Sequence, residues 1–269
     1  MPYAILRFQK RKAGSVAVCE RHNERKKEAY KSNPDIDMER SRENYHLVAP
    51  PRYTYKKEIN RMTGAAGCRV RRDSVMLVET LITASPEFMH SLPPAEQRAY
   101  FAAALDFISR RVGKQNIISA VVHMDEKTPH MHLCFVPITK EGKLSAKTML
   151  GNQKSLSEWQ TAYHAHMSAR WPELERGESS MITKRKHIPT WLFKLGGRLD
   201  KQHDEIVKAL SDINAFNAGK KRDRALALLS AWLPDMEKFS RELQKQSDYI
   251  DSLKQRVSQS EQYADHLRE

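Results

Sequence analysis

The chain is short of the features that mark several large protein classes. Cysteine is scarce: Cys19, Cys68 and Cys134 are odd in number and widely scattered, so no disulfide framework is expected and a reducing cytosol fits. Long apolar runs are missing too. The run Tyr3–Leu6 is far too short for a signal peptide, and nothing approaches a membrane span. These absences point to a soluble, cytoplasmic protein. Acidic residues are in deficit, with 33 Asp+Glu against 46 Lys+Arg, for a net charge of +13. The imbalance is concentrated: residues 1–72 hold 18 basic and 8 acidic side chains, +10 in that segment alone. Charge gathered this way is the electrostatic footprint of a polyanion-binding surface, because each neutralised phosphate releases counterions. With 269 residues the chain can bury a sizeable core and carry one large domain plus an appendage.

What is present centres on His123-Met124-Asp125-Glu126-Lys127-Thr128-Pro129-His130-Met131-His132, three histidines and two carboxylates within ten residues. Apolar, β-branched runs flank it, Ile117–Val122 before and Leu133–Ile138 after. Two such runs around a polar turn predict a hairpin. With Glu126 and Lys127 as the central turn residues, His123 falls opposite His130. His130 and His132 share a face because side chains alternate with period two. All three imidazoles then project from one side of two neighbouring strands, as a three-histidine divalent-metal site requires.

Elsewhere the pattern predicts a strand over Tyr3–Phe8, ended by Lys10-Arg11-Lys12, and a polar helix over Glu20–Lys31 stopped by Asn33-Pro34. Ala49-Pro50-Pro51 reads as a loop. A second strand is expected over Val75–Ile82, with Glu79 and Thr80 partly exposed. Pro93-Pro94 opens a helix with Phe101, Leu105, Ile108 and Val112 at helical spacing and Gly113 at its end. After a turn at Glu141-Gly142, a helix near 152–170 carries Leu156, Trp159, Tyr163 and Met167 on one face. His164 and His166 on that helix face different ways and read as surface or packing residues. Composition shifts after Gly196-Gly197, giving an expected boundary between a domain at 1–197 and a helical tail at 198–269. The tail ends in a heptad: Leu243, Ile250, Val257 and Ala264 at one core position, with Phe239, Gln246, Leu253, Ser260 and Leu267 at the other. Gln246 and Ser260 weaken that seam, so a packed helical hairpin competes with a coiled-coil homodimer.

A metal hairpin beside a basic surface points to phosphodiester chemistry, where a divalent ion polarises a phosphoryl oxygen. The nucleophile has two candidates. In His22-Asn23-Glu24-Arg25 the imidazole could attack phosphorus while the Arg25 guanidinium, three residues on, stabilises charge on the equatorial oxygens. Asn44-Tyr45 offers a phenol in the same basic region. Side-chain chemistry alone does not choose between them.

These residues together resemble the MobV-type (Pre/Mob) relaxases of the HUH endonuclease superfamily. The likeness runs through Tyr3–Lys10, Lys12-Ala13-Gly14, His22-Asn23-Glu24-Arg25, Asn44-Tyr45, the histidine hairpin, Lys143–Lys147 and Leu174-Glu175-Arg176-Gly177. It covers the part of the chain before the tail, and His130-Met131-His132 is the HUH element. The resemblance implies an α+β fold, an antiparallel β-sheet flanked by helices with the histidines on central strands, followed here by the helical segment. It implies cleavage of one DNA strand, single-stranded or within a supercoil, at the transfer origin of a plasmid or mobile element. The enzyme stays joined to the 5′ phosphate and leaves a free 3′ hydroxyl, and a coupling protein of a conjugation system is an expected partner. It also implies that His123, His130 and His132 hold Mn²⁺ or Mg²⁺, that His22 is the nucleophile with Tyr45 its competitor, and that Glu126 ligates the metal indirectly or accepts a proton from His22. Three histidines are also a common zinc set, so Zn²⁺ stays open. Lys10, Arg11 and Lys12 are expected DNA contacts. Arg69 and Arg71 are as well, although the arginine spacing in Gly67–Arg72 departs from the family's. Competing readings are a rolling-circle replication initiator, a three-histidine zinc hydrolase of a small substrate, and a non-catalytic DNA-binding regulator.

Overall fold

The computed structural model describes residues 2–27, 30, 33, 36–177, 190–211 and 216–266, with side chains in the last helix described as far as residue 245. The chain divides into two compact units, residues 1–183 and 184–269. In the first, five strands form one antiparallel sheet: β1 (Ala4–Lys12), β2 (Tyr45–Val48), β3 (Val75–Ala84), β4 (Ile117–His123) and β5 (His130–Phe135). Their spatial order is β1-β3-β5-β4-β2. The histidine hairpin therefore supplies two of the three inner strands. Its register is the expected one, with His123 opposite His130 and Val121 opposite His132.

Alternation along β5 sorts the core into two layers. Met131, Leu133 and Phe135 face one way, and pack under α4 (Pro94–Val112) and α6 (Gln153–Ser168) with Phe101, Ile108, Trp159, Tyr163 and Met167. His130, His132 and Cys134 face the other way, where α1 (Ala13–Asn23) and α2 (Tyr55–Ala65) cover the sheet through Val16, Cys19, Tyr55 and Ile59. A fully buried aliphatic or aromatic side chain contributes about 1.5–3 kcal/mol, so the larger α4/α6 layer carries most of the stability. The thinner α1/α2 layer holds the polar residues. Pro94 at the start of α4 and Gly113 at its end, with φ of 86°, match the expected bounds.

Three expectations are corrected. The helix expected over Glu20–Lys31 is α1, which starts directly after β1 and ends at Asn23. Its buried face is Val16, Cys19, Glu20 and Asn23, and the charged run after it is drawn into ion pairs rather than helix; residues 28, 29 and 31 lie outside the described set. Lys10, Arg11 and Lys12 continue β1 rather than end it. Glu79 and Thr80 are buried, not half-exposed, because β3 lies inside the sheet between β1 and β5. A strand the pattern missed, β2, pairs with β4 at one edge. Tyr163 and Met167 are buried as expected, while His164 and His166 each bond a backbone carbonyl, those of Leu174 and Ala103.

In the second unit, a helix over Thr190–Leu210 precedes one over Ala218–His266. The expected boundary at 197/198 thus falls inside the first of these helices. Leu192, Leu195, Leu199 and Ile206 are buried, and the Trp232 ring N–H donates to the Leu199 carbonyl. Leu267 of the heptad, and the side chains of Gln246, Ile250, Leu253, Val257, Ser260 and Ala264, lie outside the described residues. No helix among the described residues is long and apolar enough to cross a membrane.

Candidate active site

The site sits at the turn end of β4 and β5, under the C-terminus of α1. The His123, His130 and His132 rings have centroids 4.9–5.3 Å apart. Each ring is oriented through one nitrogen. His123 Nε2 bonds the Asn23 carbonyl at 2.9 Å, His130 Nδ1 bonds the Thr128 carbonyl at 2.8 Å, and His132 Nδ1 bonds Glu79 Oε1 at 2.8 Å. These bonds fix the protonated nitrogen and leave the other as a lone pair, the arrangement that orients metal-ligating histidines. The lone-pair atoms His123 Nδ1 and His132 Nε2 are buried without any partner. An unsatisfied buried polar atom costs about 1–3 kcal/mol, so two of them converging on one space fit a cation.

Ligand atoms fall into two overlapping triplets, each within 4.8 Å: His22, His123 and His132, and His123, Glu126 and His130. His22 therefore competes geometrically as a ligand. Its Nδ1 is turned toward the Arg25 guanidinium, 3.5 Å away, while its Nε2 lies 4.0 Å from Glu126 Oε1. The His22 ring lies 5.1 Å from His132 and 5.5 Å from His123, beside the ring of Tyr30. Burial, aided by His132 and Arg25, pushes its imidazole down to about 4, which keeps it neutral near pH 7. Burial likewise pushes His130 down to about 4 and His123 lower still.

His22 and Arg25 meet, though not on one helix as expected. Arg25 lies beyond the end of α1 with φ of 47°, a left-handed turn that brings its guanidinium back to the His22 carbonyl at 3.0 Å. The same guanidinium grips Asp125 through two bonds of 2.7 Å and Glu126 through one of 2.9 Å. Its N–H groups are therefore shared among His22, Asp125 and Glu126 before any phosphate arrives. Asp125 is fully buried and also accepts from Ser41 and Asn44. Burial alone would raise its carboxyl, but Arg25, Ser41 and Asn44 hold it well below the usual range. Glu126 is the hub: Oε1 lies 4.0 Å from His22 Nε2, 3.9 Å from His123 Nδ1 and 3.8 Å from His130 Nε2. Asn33 donates to its other oxygen.

Other expected residues are placed differently. Tyr45 registers with Val122 and packs in the α4/α6 layer, with the Arg98 guanidinium 4.6 Å over its ring. It therefore faces away from the histidines, across the sheet. Arg11 is on the histidine face, where it forms an ion pair with Glu79 at 2.5 Å. Lys10 registers with Val78, a residue of the opposite layer, and Lys12 is exposed at the start of α1. Arg69 and Arg71 are exposed in the loop after α2. Sequence reasoning missed Glu79 as the partner of His132; a lone carboxylate inside an apolar strand was the available signal. It also missed the role of Asp125, which stood inside the motif, and that of Asn33, for which there was no signal.

Comparison with known proteins identifies the family. The Mob_Pre family model, described as plasmid recombination enzyme, matches residues 1–194. A plasmid recombination enzyme of Bacillus thuringiensis is 39% identical over 213 residues, 78% of this chain and 46% of that protein. A type 1 plasmid recombination enzyme of Staphylococcus aureus is 34% identical over 212 residues, 77% of this chain and 52% of its own length. The chain thus spans about half the length of these curated relatives. Among solved structures, a MobM relaxase domain bound to plasmid pMV158 oriT DNA, with Mn bound at pH 6.8, superposes with a TM-score of 0.66. It is 35% identical and covers 71% of this chain and 97% of its own. A Mn-bound form of that domain at pH 4.6 gives 0.64 at 35% identity, covering 71% and 98%.

Proposed function

The chain belongs to the Mob_Pre family of plasmid recombination enzymes, MobV-type relaxases, and from that premise we propose that it nicks one strand of a transfer origin for plasmid mobilisation. The observation that carries the reading is the pair of orphaned ring nitrogens, His123 Nδ1 and His132 Nε2, beside a neutral His22. His123, His130 and His132 would hold the metal. Mn²⁺ is favoured because the similar MobM relaxase domain binds Mn, and Mg²⁺ and Zn²⁺ are the alternatives. When bound, the ion draws charge off a non-bridging phosphoryl oxygen.

The residues of the chain supply the rest. Asn23, Thr128 and Glu79 hold the three ligand rings in orientation. His22 forms a bond from nitrogen to phosphorus as the bond from phosphorus to the 3′ oxygen breaks. The departing 3′ oxygen takes up a proton and the imidazole gives one up. Glu126, 4.0 Å from His22 Nε2, is the carboxylate placed to receive it. The product is a 5′-phosphohistidine adduct and a free 3′ hydroxyl. Arg25 holds His22 and Glu126 together and adds positive charge at the reacting phosphate. Lys10, Lys12, Arg69 and Arg71 follow the DNA backbone, and Arg11 acts through Glu79. In a cell the reading places the protein in the cytoplasm, with a coupling protein of a conjugation system as partner.

The test is a labelled single-stranded oligonucleotide from the element's transfer origin, incubated with Mn²⁺ and run on a denaturing gel. A covalent adduct that disappears with chelator is expected, and that disappears in His130→Ala with much of the DNA affinity retained, since affinity comes mainly from phosphate contacts. Cleavage at the normal rate by His130→Ala in chelator would end the metal reading.

A further inference from the structure

On the far side of the sheet from the histidines, the structure holds a pocket of about 390 Å³ walled chiefly by Tyr45, Pro94, Ala95, Arg98 and Met124. We propose that it takes up one unpaired nucleobase of the strand whose phosphate lies at the histidine cluster. The proposal rests on the relaxase reading and adds to it a base-binding subsite.

Four observations meet there. The pocket lies at the lower end of the size range of small-ligand sites and is largely apolar, with one aromatic wall. The guanidinium of Arg98 lies 4.6 Å over the Tyr45 ring. Among the described residues it makes no hydrogen bond or ion pair, so its donors remain for a ligand. The Tyr45 hydroxyl is buried without a hydrogen-bond partner, an orphaned polar atom on the side chain that forms the aromatic wall. Unpaired bases are bound by such groups: aromatic and guanidinium planes for stacking, with a few donors for the base edge.

Position supplies the rest of the argument. Met124 directly follows His123, and its backbone N–H donates to Asn44 Oδ1 at 2.7 Å. Asn44 in turn precedes Tyr45 and also donates to Asp125. The pocket wall and the metal hairpin are thus joined through one short hydrogen-bonded corner. A single strand crossing the end of β4 can rest a phosphate on the histidine side and turn a neighbouring base into the other side. The surplus of +10 over residues 1–72, which include Tyr45, favours a polyanionic occupant over an apolar peptide, and the one carboxylate on the pocket wall, Glu43, is paired with Arg40 at 3.1 Å. Placed here, Tyr45 serves DNA positioning and not nucleophilic attack.

The experiment uses the full chain and a pool of single strands, 25 nucleotides long, randomised throughout. Halogenated bases replace their parents in every position class: 5-iodouracil, 5-iodocytosine, 8-bromoadenine or 8-bromoguanine, one kind per pool. After irradiation the crosslinked peptides are mapped. We expect at least one pool to give adducts on Tyr45 or Met124, with a yield per bound strand that falls at least fivefold in Arg98→Ala. Adducts confined to other aromatic residues, such as Tyr30 or Tyr53, would overturn the pocket, as would a yield that Arg98→Ala leaves unchanged. Those outcomes leave the relaxase reading standing, since the strand is still bound. A chain that binds none of the pools would remove both together.

Discussion

Single side chains decide the chemistry, and Glu79 is the clearest case. It is buried, accepts from Arg11, and meets His132 Nδ1. Burial alone would raise its carboxyl, but the His132 and Arg11 contacts hold it well below the usual range. Outer partners of this kind are worth about 10–100-fold in metal affinity. Glu79→Ala should therefore weaken Mn²⁺ binding by about that factor in a calorimetric titration, and an unchanged affinity would show that His132 needs no such support. The choice of nucleophile is also made at this scale. His22 lies within the cluster while Tyr45 lies across the sheet. Tyr45→Phe should preserve the protein–DNA adduct and His22→Ala should eliminate it. The adduct should be labile in acid and stable in alkali, as a phosphoramidate is. An acid-stable adduct lost only in Tyr45→Phe would restore the tyrosine mechanism.

At the scale of elements, the last turn of α1 is held by a polar cluster that joins four segments. Glu24 accepts from Tyr55 at the start of α2, from Ser119 on β4, and pairs with His46 on β2. Burial would raise the Glu24 carboxyl, yet the bonds from His46, Tyr55 and Ser119 bring it below its ordinary value of 4.5. A carboxyl depressed on folding adds stability that is fully present above its unfolded value and lost as pH falls through its folded one. The melting temperature of Glu24→Gln should therefore lie below that of the parent at neutral pH, and the gap should narrow below about pH 4.5. A gap independent of pH would assign Glu24 a packing role alone. The same segment explains how much could be read beforehand. The hairpin was legible because period-two alternation fixes both register and face. The turn at Arg25 was not, because a left-handed residue other than glycine leaves no local signature. It is held by Asp125, a hundred residues away in sequence. β2 escaped notice because an edge strand of four residues carries too little pattern to read.

At the scale of the whole molecule, the second unit consists of two helices of unequal length among the described residues. A rise of 1.5 Å per residue gives the Thr190–Leu210 helix a length of about 32 Å and the Ala218–His266 helix about 73 Å. Within that unit the shorter helix can therefore cover less than half of the longer one. Leu226, Leu233 and Leu243 are each about half exposed, and the first two are one heptad apart, on a helix whose sequence continues with Ile250, Leu253 and Val257. Two exposed leucines one heptad apart, ahead of an apolar repeat in the sequence, fit association. We predict that the second unit drives self-association and takes no part in the chemistry. The full chain should sediment as a dimer, and Leu226→Glu with Leu233→Glu should shift it toward monomer. A chain ending at residue 183, the limit of the first compact unit, should be monomeric and still form the covalent adduct with a short single strand. Equal monomeric masses for both chains would remove the association claim. Loss of the adduct on truncation would show instead that the tail belongs to the catalytic unit.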